Sequence, residues 1–198
     1  MNATIDLYFP IHGREIPVDH GYLLFSALSN FLEPEGDPWL HQAETVGLHP
    51  IRGRYCGKGR LRIGSHGKLG IRLRASLIPK FLPLAGKVLR LGGDSFRVGI
   101  PIPRMLKPSA RLYAHLVTTR NGHEEDRFDA EIARQLQALG IHGAIQREVR
   151  RTFTVKEKRV VAHSLLVSEL TAEESVRLQE AGLGGRRKLG CGVFLPVQ

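Results

Sequence analysis

Apolar and polar residues alternate at the start of the chain. Ile5, Leu7 and Phe9 share one side of residues 4–11, which predicts a strand. Pro17 and Asp19 then introduce a helix, with Asp19 as its N-cap. Tyr22, Leu23, Phe25, Ala27, Leu28, Phe31 and Leu32 give this helix a broad apolar face, and Pro34 and Pro38 end it. Two short strands are predicted over 59–63 and 69–75. A short helix over 76–85 follows despite Pro79 and Pro83. Residues 88–91 and 96–100 pair around Gly92-Gly93-Asp94. The stretch 100–108 holds Pro101, Pro103 and Pro108 and reads as a linker.

The order then begins again. Residues 111–118 predict a strand, and 128–139 a helix with Ile132, Leu136 and Leu139 on one face. Residues 145–154 and 159–169 predict paired strands. Thr171 caps a further helix, with Glu174 three residues on as a capping box, and this helix runs to Ala181. A glycine loop and a last strand over 193–197 close the chain. Each half approximates strand–helix–strand–strand–helix–strand, the ferredoxin-like order. The expected fold class is therefore α+β, with two tandem ferredoxin-like (RRM-like) βαββαβ domains over 1–103 and 108–198. The repetition lies in element order, not in sequence.

Composition narrows the classes. A chain of 198 residues that is 42% hydrophobic can bury a real core. It has no apolar run of membrane-spanning length, and residues 1–6 do not resemble a secretion signal, so a cytoplasmic location is expected. The two cysteines, Cys56 and Cys191, suggest neither a disulfide framework nor a thiolate site. The histidines show no metal-ligand spacing, so no metal and no cofactor is expected.

Charge changes the picture more. Residues 45–93 carry eleven Lys or Arg and no Asp or Glu, whereas the rest of the chain carries 18 basic and 19 acidic side chains. One stretch thus holds essentially the whole excess of +10. Arg52, Arg54, Lys58, Arg60, Arg62, Lys68, Arg72 and Arg74 fall there among Gly53, Gly57, Gly59, Gly64 and Gly67. Single-sign clustering of this kind is the footprint of a phosphate-backbone partner. A second cluster, Arg147, Arg150, Arg151, Lys156, Lys158 and Arg159, lies on the predicted hairpin. It either enters an RNA groove or protects a strand edge.

The tail reads Gly182-Leu183-Gly184-Gly185-Arg186-Arg187-Lys188-Leu189-Gly190-Cys191-Gly192. Two Gly-apolar-Gly units flank three cations. The main-chain amides around Gly184 and Gly185 could form an anion nest whose mouth Arg186, Arg187 and Lys188 charge, or the glycines could serve only a tight helix-to-strand connection.

This tail resembles the C-terminal glycine-rich loop of the RAMP superfamily, the repeat-associated RNA-binding proteins of CRISPR systems. More narrowly, the chain resembles the endoribonuclease that cuts CRISPR repeat RNA in class 1, Cascade-type systems. Ile16-Pro17-Val18-Asp19-His20-Gly21-Tyr22 resembles the start of that family's first helix, and His41 follows the helix where the family commonly carries its catalytic histidine. The resemblance implies metal-independent cleavage of the precursor transcript into mature CRISPR RNA. In it the 2′-hydroxyl attacks the adjacent phosphate and leaves a 2′,3′-cyclic phosphate. The implied partners are repeat RNA and other Cascade subunits. Ser29 stands at the helix position where relatives carry a helper tyrosine or serine. No lysine follows His41 closely, and Arg52 and Arg54 are the nearest cations.

Histidine suits such acid–base work because it titrates near neutrality, and Lys or Arg can stabilise charge developing on phosphate. On this argument alone His49 and His20 compete with His41. A non-catalytic RNA-binding subunit of the same superfamily is the alternative reading. A small-ligand regulator would not explain eleven cations without an acid.

Overall fold

A computed structural model describes residues 3–33 and 36–197, so Pro34 lies outside the described residues. The chain divides into two compact units, Met1–Met105 and Leu106–Gln198.

In the first unit the elements run β1 (Thr4–Gly13), β2 (Glu15–Pro17), α1 (Gly21–Leu32), α2 (Trp39–Gln42), β3 (Gly47–Leu48), β4 (Arg54–Gly57), β5 (Arg60–Arg62), β6 (Lys68–Arg74), α3 (Ile78–Phe81), β7 (Val88–Leu91), β8 (Asp94–Val98) and β9 (Ile102–Met105). The main sheet has the order β3-β6-β1-β8-β7, and a small sheet has the order β2-β5-β4. Period-two alternation sends Ile5, Leu7, Phe9 and Ile11 of β1, with Leu69, Ile71 and Leu73 of β6, into a core shared with Leu24 and Leu28 of α1. Asp6, Tyr8 and Arg72 therefore occupy the opposite face. The register sets Asp6 directly across from Arg72 and Tyr8 across from Gly70.

The second unit contains β10 (Leu112–Val117), α4 (Glu125–Ala138), β11 (Ala144–Val155), β12 (Lys158–Ser168), α5 (Ala172–Ala181) and β13 (Leu195–Pro196). Its sheet order is β11-β12-β10-β13, the ferredoxin-like arrangement with the first strand between the third and fourth. Phe128, Ile132 and Leu136 of α4 and Leu178 of α5 pack on Leu112, Leu165, Val167 and Phe194. The capping box forms as expected. Thr171 accepts from the Glu174 amide, and the Glu174 carboxylate accepts from the Thr171 amide.

Four local expectations need correction. Asp19 is not the N-cap residue of α1. The N-cap is His20, whose ring makes no cap hydrogen bond because both its nitrogens are engaged elsewhere. The expected linker contains β9, which pairs with β1 from Ile5↔Met105 to Tyr8↔Ile102. Pro103 is tolerated there because an edge strand needs only one row of donors. The expected helix over 76–85 is instead a composite. The 3₁₀ turns Ala75–Leu77 and Leu82–Leu84 flank α3, and each proline sits in the first turn of its piece, where no amide donor is required. Finally, the last strand is only two residues long.

Candidate active site

His41 lies on α2, just after α1. Its Nδ1 is 2.8 Å from Glu33 Oε2, at the C-cap of α1. Glu33 Oε1 accepts the backbone amides of Leu40 at 2.6 Å and His41 at 3.2 Å, so one carboxylate holds both the ring and the short helix that carries it. Ser29, one turn back on α1, donates its hydroxyl to Glu33 Oε2 and lies 3.3 Å from His41 Nδ1. Phe25 meets the imidazole edge to face at 4.9 Å between ring centroids. The His41 side chain is 53% exposed, whereas that of Glu33 is 5% exposed. Burial opposes ionisation of Glu33, but the hydrogen bonds from Ser29, His41 and the two amides outweigh it and lower its pKa. An ionised carboxylate on Nδ1 fixes the neutral imidazole as the Nδ1–H tautomer, which makes Nε2 the basic nitrogen. Ser29 is buried and acts on Glu33 and His41. Its place beside the ring is the helper position that the resemblance gave it.

The other two histidines have a different setting. His49 is buried, with Nε2 3.1 Å from Asp6 Oδ1 and its ring edge against Tyr8. It lies so close over Gly70 that a Cβ there would come within 2.7 Å of the ring. Burial lowers the His49 pKa despite the neighbouring Asp6. Asp6 in turn receives Arg72 Nε at 2.8 Å and Nη2 at 2.9 Å. Burial would raise the Asp6 pKa, but the hydrogen bonds from His49 and Arg72 prevail and hold it well below the carboxylate range. His20 is also buried. Its Nδ1 donates to the Pro17 carbonyl and its Nε2 accepts from the Ile51 amide, each at 3.0 Å, and burial lowers its pKa. Two sealed histidines thus serve the fold.

The cations divide in the same way. Arg72 is fully buried against Asp6 and leaves the basic surface. Arg60 makes a bidentate pair with Asp94 and also approaches Glu15, and Arg62 pairs with Glu15 at 3.3 Å. Arg147 is held by Asp129 at 2.9 Å and Glu125 at 3.0 Å. Arg60, Arg62 and Arg147 are thus ion-paired with acids of other segments. Arg52 and Arg54 are exposed. Arg52 lies within electrostatic reach of Tyr8 and His49, and Arg54 opens β4. Lys58 and Lys156 occupy hairpin tips with left-handed backbone, φ 48° and 45°. Lys158 and Arg150 are exposed on the β11–β12 hairpin, and Arg151 is half-buried there.

The glycine loop is not an anion nest at Gly184 and Gly185. The Gly184 amide donates to Gln135 Oε1 at 2.7 Å and the Gly185 amide to the Thr118 carbonyl at 2.9 Å. A Cβ at Gly184 would lie 2.2 Å from the Thr118 oxygen, and Gly184 has φ +71°. The glycines let two backbones touch, which is the tight-connection reading. Arg186 is exposed beside them, whereas Arg187 and Lys188 are half-buried in the 3₁₀ turn Arg187–Leu189.

Residues 5–198 match the protein family described as Cas6 Crispr. The chain belongs to the Cas6 family. It is 38% identical over 192 residues to the CRISPR-associated endonuclease Cas6 of Myxococcus xanthus, covering 97% of this chain and 81% of that protein. Among solved structures it resembles a CRISPR associated protein Cas6, with a TM-score of 0.67 over 98% of this chain and all of the other. It also resembles a RAMP protein binding different RNA substrates, with a TM-score of 0.69 over 98% and 100%. Both are 13% identical, and the likeness is one of fold.

Glu33 is the residue of this Cas6 chain that sequence reasoning missed. The signal that could find it is spacing: Ser29 and Glu33 stand four apart on one helix face, and His41 follows the end of that helix. Among the described residues no three His, Cys, Asp or Glu side chains are grouped to hold a metal ion. No helix among them is long and apolar enough to cross a membrane.

Proposed function

We propose that His41 carries the acid–base chemistry with which this Cas6-family endoribonuclease cleaves CRISPR repeat RNA in the precursor transcript. The observation that supports it is the half-exposed His41 ring held through Nδ1 by a buried carboxylate, while His20 and His49 are sealed in the core. In the reaction the 2′-hydroxyl oxygen attacks the adjacent phosphorus and the P–O5′ bond breaks, leaving a 2′,3′-cyclic phosphate and a 5′-hydroxyl. Nε2 of His41 takes the 2′-hydroxyl proton when neutral, or delivers one to O5′ when charged. Glu33 and Ser29 hold the ring, and Arg52 and Arg54 add positive potential for the phosphate. Lys58, Lys156, Lys158, Arg150, Arg151, Arg186, Arg187 and Lys188 supply the wider RNA-binding charge. We place this work in the cytoplasm, where precursor transcripts are made, and in association with Cascade subunits.

The test is incubation of the protein with repeat RNA in EDTA, with and without a 2′-deoxy substitution at the cut site. Cleavage of the ribose substrate alone is expected. Cleavage of the deoxy substrate, or loss of activity on chelation, would remove this mechanism. RNA binding without cleavage would favour the non-catalytic subunit.

A further inference from the structure

The second unit contains a cavity of about 1180 Å³, and of the residues that line it only Arg186 enters the reading above. Its walls come from the loop 118–123, α4, the start of β12 and the glycine loop. Five arginines line it. Two of them are spoken for: Arg127 pairs with Glu124 and Arg134 with Glu131. Glu131 also accepts from Gln135, so the one carboxylate on the wall is engaged. Among the described residues the other three, Arg120, Arg159 and Arg186, are in no ion pair, and they reach the cavity from three separate segments. Converging guanidinium groups repel one another, and a polyanion relieves that repulsion.

We propose that this cavity is an RNA site in its own right, which holds an unpaired stretch of the repeat by its phosphates on Arg120, Arg159 and Arg186. This rests on the endoribonuclease reading above. The space exceeds the roughly 300–1,000 Å³ of ordinary small-molecule sites, and those are mostly apolar, whereas five arginines line this one. A duplex is too wide to enter a space of about 1180 Å³, but a single strand can follow it and turn its bases to the wall. Two groups there can read a base edge. Asn121 offers both a donor and an acceptor. The Thr119 hydroxyl is buried and has no hydrogen-bond partner among the described residues.

The test pairs two variants on an uncleavable 2′-deoxy repeat RNA. Arg120→Ala with Arg159→Ala should weaken binding about 25-fold at 0.1 M salt and reduce the salt slope by about 1.4, as for two lost single-strand phosphate contacts. Single-turnover cleavage of the ribose substrate at saturating enzyme should stay at the wild-type rate. A repeat trimmed to its paired stem should bind wild type and variant alike. Thr119→Val keeps the side-chain shape, so it should leave the melting temperature unchanged or higher while weakening full-length RNA about 2- to 12-fold. Unchanged affinity and slope in both variants would overturn the site, and so would an equal loss on the trimmed stem. Wild-type protein that does not bind repeat RNA at all would instead sink the family-based reading, and this site with it.

Discussion

The first unit holds two histidine–carboxylate pairs of similar length, His41–Glu33 at 2.8 Å and His49–Asp6 at 3.1 Å. In the first only the carboxylate is buried, and the imidazole is 53% exposed. In the second both members are sealed, and Arg72 takes the remaining edge of the carboxylate. The hydrogen bond itself does not separate a working histidine from a structural one. Access does, because a ring with no route to solvent has no route to a 2′-hydroxyl. The carboxylate also plays two parts: Glu33 orients a ring that must meet RNA, whereas Asp6 compensates a buried guanidinium.

The sharpest break of this comparison is His41→Ala. Single-turnover cleavage should fall about 10²–10⁴-fold, the range for one well-placed acid–base group. Affinity for a 2′-deoxy substrate should hardly change, since one neutral ring adds little to a surface of cations. Near-wild-type cleavage would return the chemistry to another residue. The mirror experiment is Asp6→Ala, which strands Arg72 in the core. It should cost about 3–5 kcal/mol of stability in the first unit while leaving the rate per folded molecule near wild type. Denaturant unfolding followed by Trp39 fluorescence reads that unit alone, since Trp39 is the single tryptophan. Loss of rate without loss of stability would mean that the buried pair takes part in catalysis.

Glu33→Gln sharpens the same contrast from within the site. A glutamine oxygen can still accept the Leu40 and His41 amides, but its NH₂ would donate to Nδ1 and invert the tautomer, leaving the proton on Nε2. A fall of about 10²-fold in cleavage is expected, as for a misplaced catalytic group, with RNA affinity and melting temperature retained. Imidazole nitrogen shifts report the tautomer directly. A wild-type tautomer and rate in this variant would leave Glu33 as a helix cap only.

What could be read from sequence follows from the range of each interaction. The Thr171–Glu174 capping box spans three residues and was legible. So were the alternation that builds β1 and the order of elements in the second unit, whereas β2, α2, β3, β4 and β9 of the first unit were not. The ion pairs were not legible. Asp6 and Arg72 are 66 residues apart and Arg60 and Asp94 are 34 apart, and sheet register brings each pair together. Counting charge along a window therefore overstated the basic surface, because the acids that pair with it, Asp6, Glu15 and Asp94, all lie outside it. The glycine loop failed differently: the same glycines that allow an anion nest also allow backbone to touch backbone, and only the partners of the Gly184 and Gly185 amides decide between the two. His41 was placed by resemblance. Its partner Glu33 was lost because a residue at a helix end reads as punctuation.

The smallest effect is a pH dependence, and it tests whether the sealed histidines are neutral. Burial lowers the pKa of both His20 and His49 in the folded protein. Unfolded, each titrates near 6.5. Below about 6.5 the unfolded chain binds protons that the folded core refuses, so stability falls as the pH drops through that window. The slope approaches about 1.4 kcal/mol per pH unit for each histidine while the fold keeps it neutral. Asp6 and Glu33 act later and in the same direction. Their folded pKa values are depressed, so their contribution is present above about 4 and is lost as the pH falls below it. The Trp39-reported melting temperature should therefore decline in two stages, one beginning near pH 6.5 and one near pH 4. His49→Gln should shrink the first stage without abolishing it, since His20 keeps its share, and the second stage should persist through Arg72 and Glu33. A melting temperature level between pH 7.5 and 5.5 would mean that the core accepts the protons, and the distinction between a sealed and an accessible histidine would lose its physical basis.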